Sequence, residues 1–394
     1  MPCTIAALPQ ELLDYIIDLA AAAAIHDKRA AGRLTLTCRA WAPRASTHLF
    51  AGLCLLAKDL PALAGHTQRS PRLARHLTTL VLAEERGAKS TPIALADLDA
   101  ILALPALRSL ALVGRSLSIS AGAGHEGNHR RKLAHMRLSR VYVDVLPALL
   151  GRFTRIDTLE LEQLHVPARA PHARHDAHLA VGTLILDGGP AELGMLSAAL
   201  DATSLKRLTL KSGERFRVDP RPVDALLRAA GTNIEYLRID MPLDAWGPAG
   251  PGLSTRALYA NTSRPEARSG PSALRNLAQL HTLELVAPRR APSHCDSHES
   301  TMLWERTLAM LRGAPPGVRR IRLHASLDDF APAASADCGV KALERNLEQC
   351  DALESVELVL ADERRPGSRQ AAAELQDAVR GRMKAGLAKI VCIS

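Results

Sequence analysis

One pattern recurs along this chain and limits what it can fold into: apolar-x-x-apolar-x-apolar, with leucine in most of the apolar slots. It stands at Leu77/Leu80/Leu82, Leu107/Leu110/Leu112, Ile156/Leu159/Leu161, Val181/Leu184/Leu186, Leu205/Leu208/Leu210 and Ile234/Leu237/Ile239. It returns at Leu280/Leu283/Leu285, Val318/Ile321/Leu323 and Leu353/Val356/Leu358, with a weaker copy at Leu133/Met136/Leu138. The alternation at the end of each copy is the period of a half-buried strand, because successive side chains leave opposite faces. From Leu112 to Ile239 the final apolar positions follow one another at 23–29 residues. That matches the roughly 20–29 residues of a leucine-rich repeat, in which a short strand is followed by a helical return.

Between the strands, segments 93–104, 145–150, 191–200, 223–229, 302–311 and 340–347 place apolar residues three and four apart and read as helices. A strand, a helix and a second strand in one sheet make a parallel crossover. The expected fold is therefore α/β. A short N-terminal three-helix module over 1–50 and a helical linker over 51–72 precede an irregular leucine-rich-repeat solenoid over 73–394. Its parallel strands line a concave face and its helices lie outside. Glycine-rich 114–132, histidine- and proline-containing 165–178 and proline-rich 241–271 interrupt the repeats and read as surface insertions.

Composition agrees where it bears on this. Hydrophobic residues make up 47% of the chain but aromatics only 3%, so the core must be filled by Leu, Ala, Val and Ile, the same shapes repeated. The net charge of +9 permits contact with nucleic acid, yet the basic residues are interleaved with acidic ones and no basic run alternates with aromatics. A mixed solvated surface is the better reading. Seven scattered cysteines form no CxxC and cannot all pair, which points to a reducing compartment, the cytoplasm or nucleus. The apolar stretch 16–25 lacks a cationic flank, and no run reaches the roughly 20 residues of a membrane span.

No metal, cofactor or catalytic residue is expected. His294, Cys295, Asp296, His298 and Glu299 lie close together, as do His172, His175 and His178, but no second ligand pair completes a site. Phosphate loops, dinucleotide fingerprints and nucleophile elbows are absent from the sequence.

The first fifty residues follow a different rule. Leu8, Leu12, Ile16 and Leu19 recur at helical spacing, with Leu13 and Ile17 beside them. Pro9 suits a first helical turn and Glu11 the positive end of the helix dipole. A second helix is expected over about 28–40 and a third ending at Leu49–Phe50. So small a module cannot bury apolar residues on more than one face, and the remaining edge is a candidate docking surface.

The strings LPQELLDYIIDLA and LTLTCRAWAPRASTHLF carry Leu8, Pro9, Glu11, Leu12, Leu13, Ile16 and Ile17, then Cys38, Arg39 and Trp41, then His48, Leu49 and Phe50. In that order they resemble the F-box of fungal adaptor proteins, over about one ninth of the chain. The run Ala20–Ala24 departs from the family where a more varied helix end is usual. The resemblance implies a non-catalytic substrate-receptor subunit of a cullin–RING (SCF-type) ubiquitin ligase. Leu8, Pro9, Leu12, Leu13, Ile16, Ile17 and Trp41 would meet a Skp-type adaptor and, through it, a cullin. Trp41 also suits the module's own core. The substrate protein would sit on the repeats.

In the strand template, the residues before and between the last two apolar positions leave the sheet on the face opposite the core. They include Arg207, Tyr236, Arg238, Thr282, Glu284, Arg320 and Arg322, the candidate substrate-binding residues. Arg and Tyr are enriched at interface hot spots, and such a face could take an acidic or phosphorylated segment. Two other readings compete: a repeat-based interaction scaffold whose N-terminal helices only cap it, and a basic nucleic-acid binder.

Overall fold

Each copy of the leucine template forms a strand, and its last two apolar side chains are buried, from Leu80 and Leu82 to Val356 and Leu358. The architecture is α/β, built on a large parallel sheet with helices. The structure, a computed structural model, describes residues 9–23, 28–37, 39, 41–85, 91–115, 117–120, 130–143, 146–165, 179–187, 196, 199–211, 220–240, 272–287, 307–308, 310–326, 336–361, 377 and 388–393. Two compact units divide it, Met1–Arg155 with His165–Ala170, and Ile156–Leu164 with Pro171–Ser394.

The first unit opens with three helices, α1 (Gln10–Ala23), α2 (Lys28–Thr37) and α3 (Ala42–Ala51). There follow β1 (Gly52–Leu56), α4 (Leu60–Arg69), α5 (Pro71–His76), β2 (Thr79–Ala83), β3 (Thr91–Ala94) and α6 (Leu95–Leu102). Then come β4 (Ser109–Val113), β5 (Leu117–Ser120), β6 (Arg131–Ser139), β7 (Tyr142–Val143) and α7 (Leu146–Leu150). The strands β1, β2, β4 and β6 lie side by side in chain order, and β3, β5 and β7 form a small second sheet; the pairs run parallel.

Two expectations change here. The stretch 51–72, expected as a helical linker, starts with a strand, because Phe50/Leu53/Leu55 is one more template copy in register with β2: Leu53 faces Leu80 and Leu55 faces Leu82. The insertion expected over 114–132 contains β5 and the start of β6, so it is partly sheet. Ile119 on β5 is fully buried, and a short apolar alternation in a glycine-rich setting was the only signal for it.

The second unit carries β8 (Phe153–Glu162) from Ile156 onward, β9 (Leu179–Asp187), β10 (Leu200–Asp201), β11 (Arg207–Lys211), α8 (Pro220–Ala230), β12 (Tyr236–Asp240) and β13 (Thr282–Val286). It continues with β14 (Arg320–Ser326), α9 (Ala336–Leu347), β15 (Ser355–Ala361) and β16 (Ala388–Ile393). Strand order again follows chain order, with β10 beside β9, and β9 and β11 to β16 run parallel. Ala388 pairs with Val356 in register, so β16 has alanine where other copies carry a larger residue, which hid it in the sequence. The insertion expected at 241–271 lies outside the described residues, as does 165–178 apart from His165.

A repeated backbone contact fixes how strands begin. Two successive N–H groups donate to one carbonyl of the neighbouring repeat at 2.7–3.1 Å: Glu235 and Tyr236 to Lys206, His281 and Thr282 to Glu235, Arg319 and Arg320 to His281, Glu354 and Ser355 to Arg319. In the first unit Arg108 and Ser109 do the same to Thr78, and Ala134 and His135 to Arg108. Each of these strand starts therefore satisfies its backbone donors on the repeat before it. Val223, Leu226, Leu227 and Ala230 of α8 are buried, the i, i+3, i+4 and i+7 stripe of a helix laid against a core. Among the described residues neither sheet closes into a barrel, and no helix is long and apolar enough to cross a membrane.

Candidate functional site

Two surfaces carry the residues picked out by sequence, one in each unit. On α1 the apolar residues divide into two stripes. Leu13, Ile17 and Ala21 lie four apart and are buried at 5%, 0% and 8% exposure. Leu12, Tyr15, Ile16 and Leu19 point the other way and are 50%, 60%, 40% and 53% exposed. Four large apolar or aromatic side chains left in water on one helix face is more than scattered surface leucines would account for. Leu36 on α2 is 85% exposed.

Of the residues expected to meet an adaptor, Pro9 is exposed and its carbonyl accepts from the N–H groups of Leu12 and Leu13 at 3.1 Å, starting the helix. Leu13 and Ile17 are interior residues instead: their role is to hold α1 down, and they are unavailable to a partner. Trp41 is half-buried at the start of α3, its indole N–H buried without an acceptor among the described residues. Leu8 lies outside the described residues.

A link that sequence reading missed ties α1 to α3. Arg44 donates from Nε and Nη2 to the two carboxylate oxygens of Asp18 at 2.7 and 2.6 Å, and His48 Nε2 lies 2.7 Å from Oδ1. The hydrogen bond from Arg44, then that with His48, holds the Asp18 carboxyl well below the usual carboxylate range. Asp18 and Arg44 stay more than a third exposed, so the bridge orients the helix more than it stabilises it.

The second surface is the outward face of β11 to β15. The parallel register lines its residues up in rows: Arg207, Tyr236, Thr282, Arg320 and Ser355 in one, Thr209, Arg238, Glu284, Arg322 and Glu357 in the next. Glu284 is the centre of the second row and only 3% exposed. Tyr236 donates its hydroxyl to Glu284 Oε2 at 2.6 Å, and Arg238 Nη1 reaches Oε1 at 3.1 Å. His324 Nε2 stands 2.8 Å from Oε1, and Arg322 Nη1 3.9 Å from Oε2. Burial alone would raise the carboxyl, but the hydrogen bonds with His324 and Tyr236 and the charge of Arg238 outweigh it and hold Glu284 at about 2. Burial and the bond to Glu284 push the Tyr236 hydroxyl up to about 12.

The arginines of this face divide by what they hold. Arg238 is committed to Glu284 and, through Nε at 2.9 Å, to Asp240. Arg322 is committed to Glu357, with Nε and Nη2 both 2.7 Å from Oε2. Arg207 lies over the Tyr236 ring at 4.9 Å, and Arg320 is exposed. Asp240, His324 and Glu357 complete the network beyond the seven predicted residues. Asp240 and His324 fall two positions after Arg238 and Arg322, so carrying the two-residue period one step further along β12 and β14 finds both.

The histidine-rich stretches at 172–178 and 294–299 lie outside the described residues, and among those described no group of His, Cys, Asp or Glu could hold a metal ion. No protein-family model matches this chain, and no curated protein matches it.

Proposed function

We propose that this chain is the substrate-receptor subunit of a cullin–RING ubiquitin ligase, acting in the cytoplasm or nucleus. In this reading α1 to α3 form an F-box module, α1 docks on a Skp-type adaptor, and the strand-and-return repeats are leucine-rich repeats whose outward face holds a protein substrate. The receptor breaks and makes no bond. It contributes proximity, bringing target lysines near a charged conjugating enzyme.

The observation that carries the proposal is the exposed stripe of Leu12, Tyr15, Ile16 and Leu19. A helix that served only to cap the first repeat would bury its large apolar side chains against that repeat. Here a second stripe does the anchoring and the first is left over, and two of its residues, Leu12 and Ile16, stand where the F-box resemblance puts adaptor contacts. A short amphipathic helix laid into a partner groove through such positions is a common mode of recognition.

The test is binding of a purified Skp-type adaptor to the full chain beside a Leu12→Arg, Ile16→Arg double variant. Because both residues are solvent-exposed, the variant is expected to keep the wild-type melting temperature. Loss of two anchors, each worth roughly 2 kcal/mol, lowers affinity by at least a hundredfold. Absence of binding by the folded wild-type chain removes the ligase role and leaves an interaction protein that works through its strand face.

A further inference from the structure

The strand face has seven residues that sequence alone marks as partner-binding, and the geometry removes three of them. Arg238, Arg322 and Glu284 are bound to one another or to Asp240, His324 and Glu357, and a ligand would have to break those pairs to use them. The row at the strand starts is different. No carboxylate of a described residue pairs with Arg207 or Arg320. Between them lie the Tyr236 ring and the Thr282 hydroxyl, and beyond them Ser355. An open cavity of about 290 Å³ sits at the Arg320 end, lined by His281, Thr282, Arg319, Arg320 and Glu354. Its other charges, Arg319 and Glu354, stand 3.6 Å apart and balance each other, so the Arg320 charge is the one left over.

Arg207 on β11 and Arg320 on β14 are three strand spacings apart, about 14 Å. An extended peptide advances about 3.3–3.6 Å per residue, so four residues cover that distance. We infer that the strand-start row of β11 to β15 binds an extended acidic peptide segment with two carboxylates four residues apart, one on Arg207 and one on Arg320. The Arg207 guanidinium, lying over Tyr236, keeps its N–H edges for a carboxylate, and the intervening hydroxyl of Thr282 and that of Ser355 beyond Arg320 suit the peptide backbone. A nucleic-acid strand fits less well. Tyr236 is the row's aromatic side chain and Arg207 already lies over its ring, whereas a single strand needs a series of free stacking faces. This inference rests on reading the strand face as the partner-binding surface.

The test uses the full chain and three labelled peptides followed by fluorescence anisotropy: Ser-Glu-Thr-Ser-Thr-Glu-Ser, the same composition with the two glutamates adjacent, and the spaced peptide with glutamine for glutamate. The spaced diacidic peptide is expected to bind best, and Arg207→Gln or Arg320→Gln to weaken it about five- to tenfold each. Arg228→Gln, an exposed charge on α8, leaves binding unchanged and controls for net charge. Equal binding of the two diacidic peptides, indifference to Arg320→Gln, or no binding of any peptide overturns the inference. So does a labelled oligothymidylate that binds more tightly through the same two arginines. The adaptor assay is independent: adaptor binding without peptide binding sinks this inference alone, and peptide binding without adaptor binding supports it while sinking the ligase role.

Discussion

A carboxylate taken out of water destabilises a fold unless donors replace the water, and Glu284 has Tyr236, Arg238, His324 and Arg322 around it. Removing its charge leaves those donors facing a neutral amide in a buried place. Glu284→Gln is therefore expected to lower stability by about 2–4 kcal/mol, read as a drop in the urea midpoint of unfolding at neutral pH. The pH dependence has a definite sign. The folded carboxyl is held at about 2, below its ordinary value of 4.5, so the native state binds its proton less readily than the unfolded chain. Its contribution is complete above the ordinary value and is lost as pH falls from there through about 2. Tyr236 works from the other side: its hydroxyl is raised from 10.0 to about 12, and its contribution fades as pH rises through that interval. Glu284→Gln should flatten the acid limb of a stability-against-pH curve, and an unchanged acid limb would show that Glu284 is not the group responsible.

At the scale of the element, the strands were legible because the template repeats, and the outward residues were legible because a strand has period two. What the sequence could not supply was pairing. Glu284 and Tyr236 are 48 positions apart along the chain, and only the register of β12 on β13 brings them together. Likewise α1 shows five large aliphatic residues in its sequence, Leu12, Leu13, Ile16, Ile17 and Leu19, but which stripe turns inward depends on what α3 offers it. β1 and β16 were hidden for opposite reasons, the first because Phe50 also completes the F-box resemblance, the second because alanine fills a template slot. Strand ends make demands of their own. Gly114, just past β4, has φ +153°, donates to Ser139 at 3.0 Å, and has the Cβ of Glu84 where a side chain would go. Gly114→Ala should cost about 1–3 kcal/mol through strain and displacement of Glu84. Gly52→Ala, with its nearest neighbour at 4.0 Å, should be close to neutral. Paired thermal melts of the two variants check this, and equal effects would refute the strain account.

At the scale of the molecule, strands neighbour one another in chain order within each unit, so stability is assembled locally. Leu283 is fully buried on β13, and Leu283→Ala should cost about 2–5 kcal/mol. That loss should appear as faster hydrogen exchange in β12 to β14 and leave β1, β2 and β4 almost unchanged; uniform deprotection along the chain would contradict local assembly. The paired N–H contacts at strand starts carry one more consequence. Short described turns, 231–235, 277–281 and 313–319, lead into β12, β13 and β14, while the long segments 241–271 and 288–306 leave from the ends of β12 and β13. The margin of the sheet at these strand starts is ruled. Length can vary after a strand without moving the strands, but a single residue added before β13 would slip it by one and turn Thr282 and Glu284 into the core. Descendants of this chain can therefore change size along one margin only, and the margin they must keep is the one that carries Arg207 and Arg320.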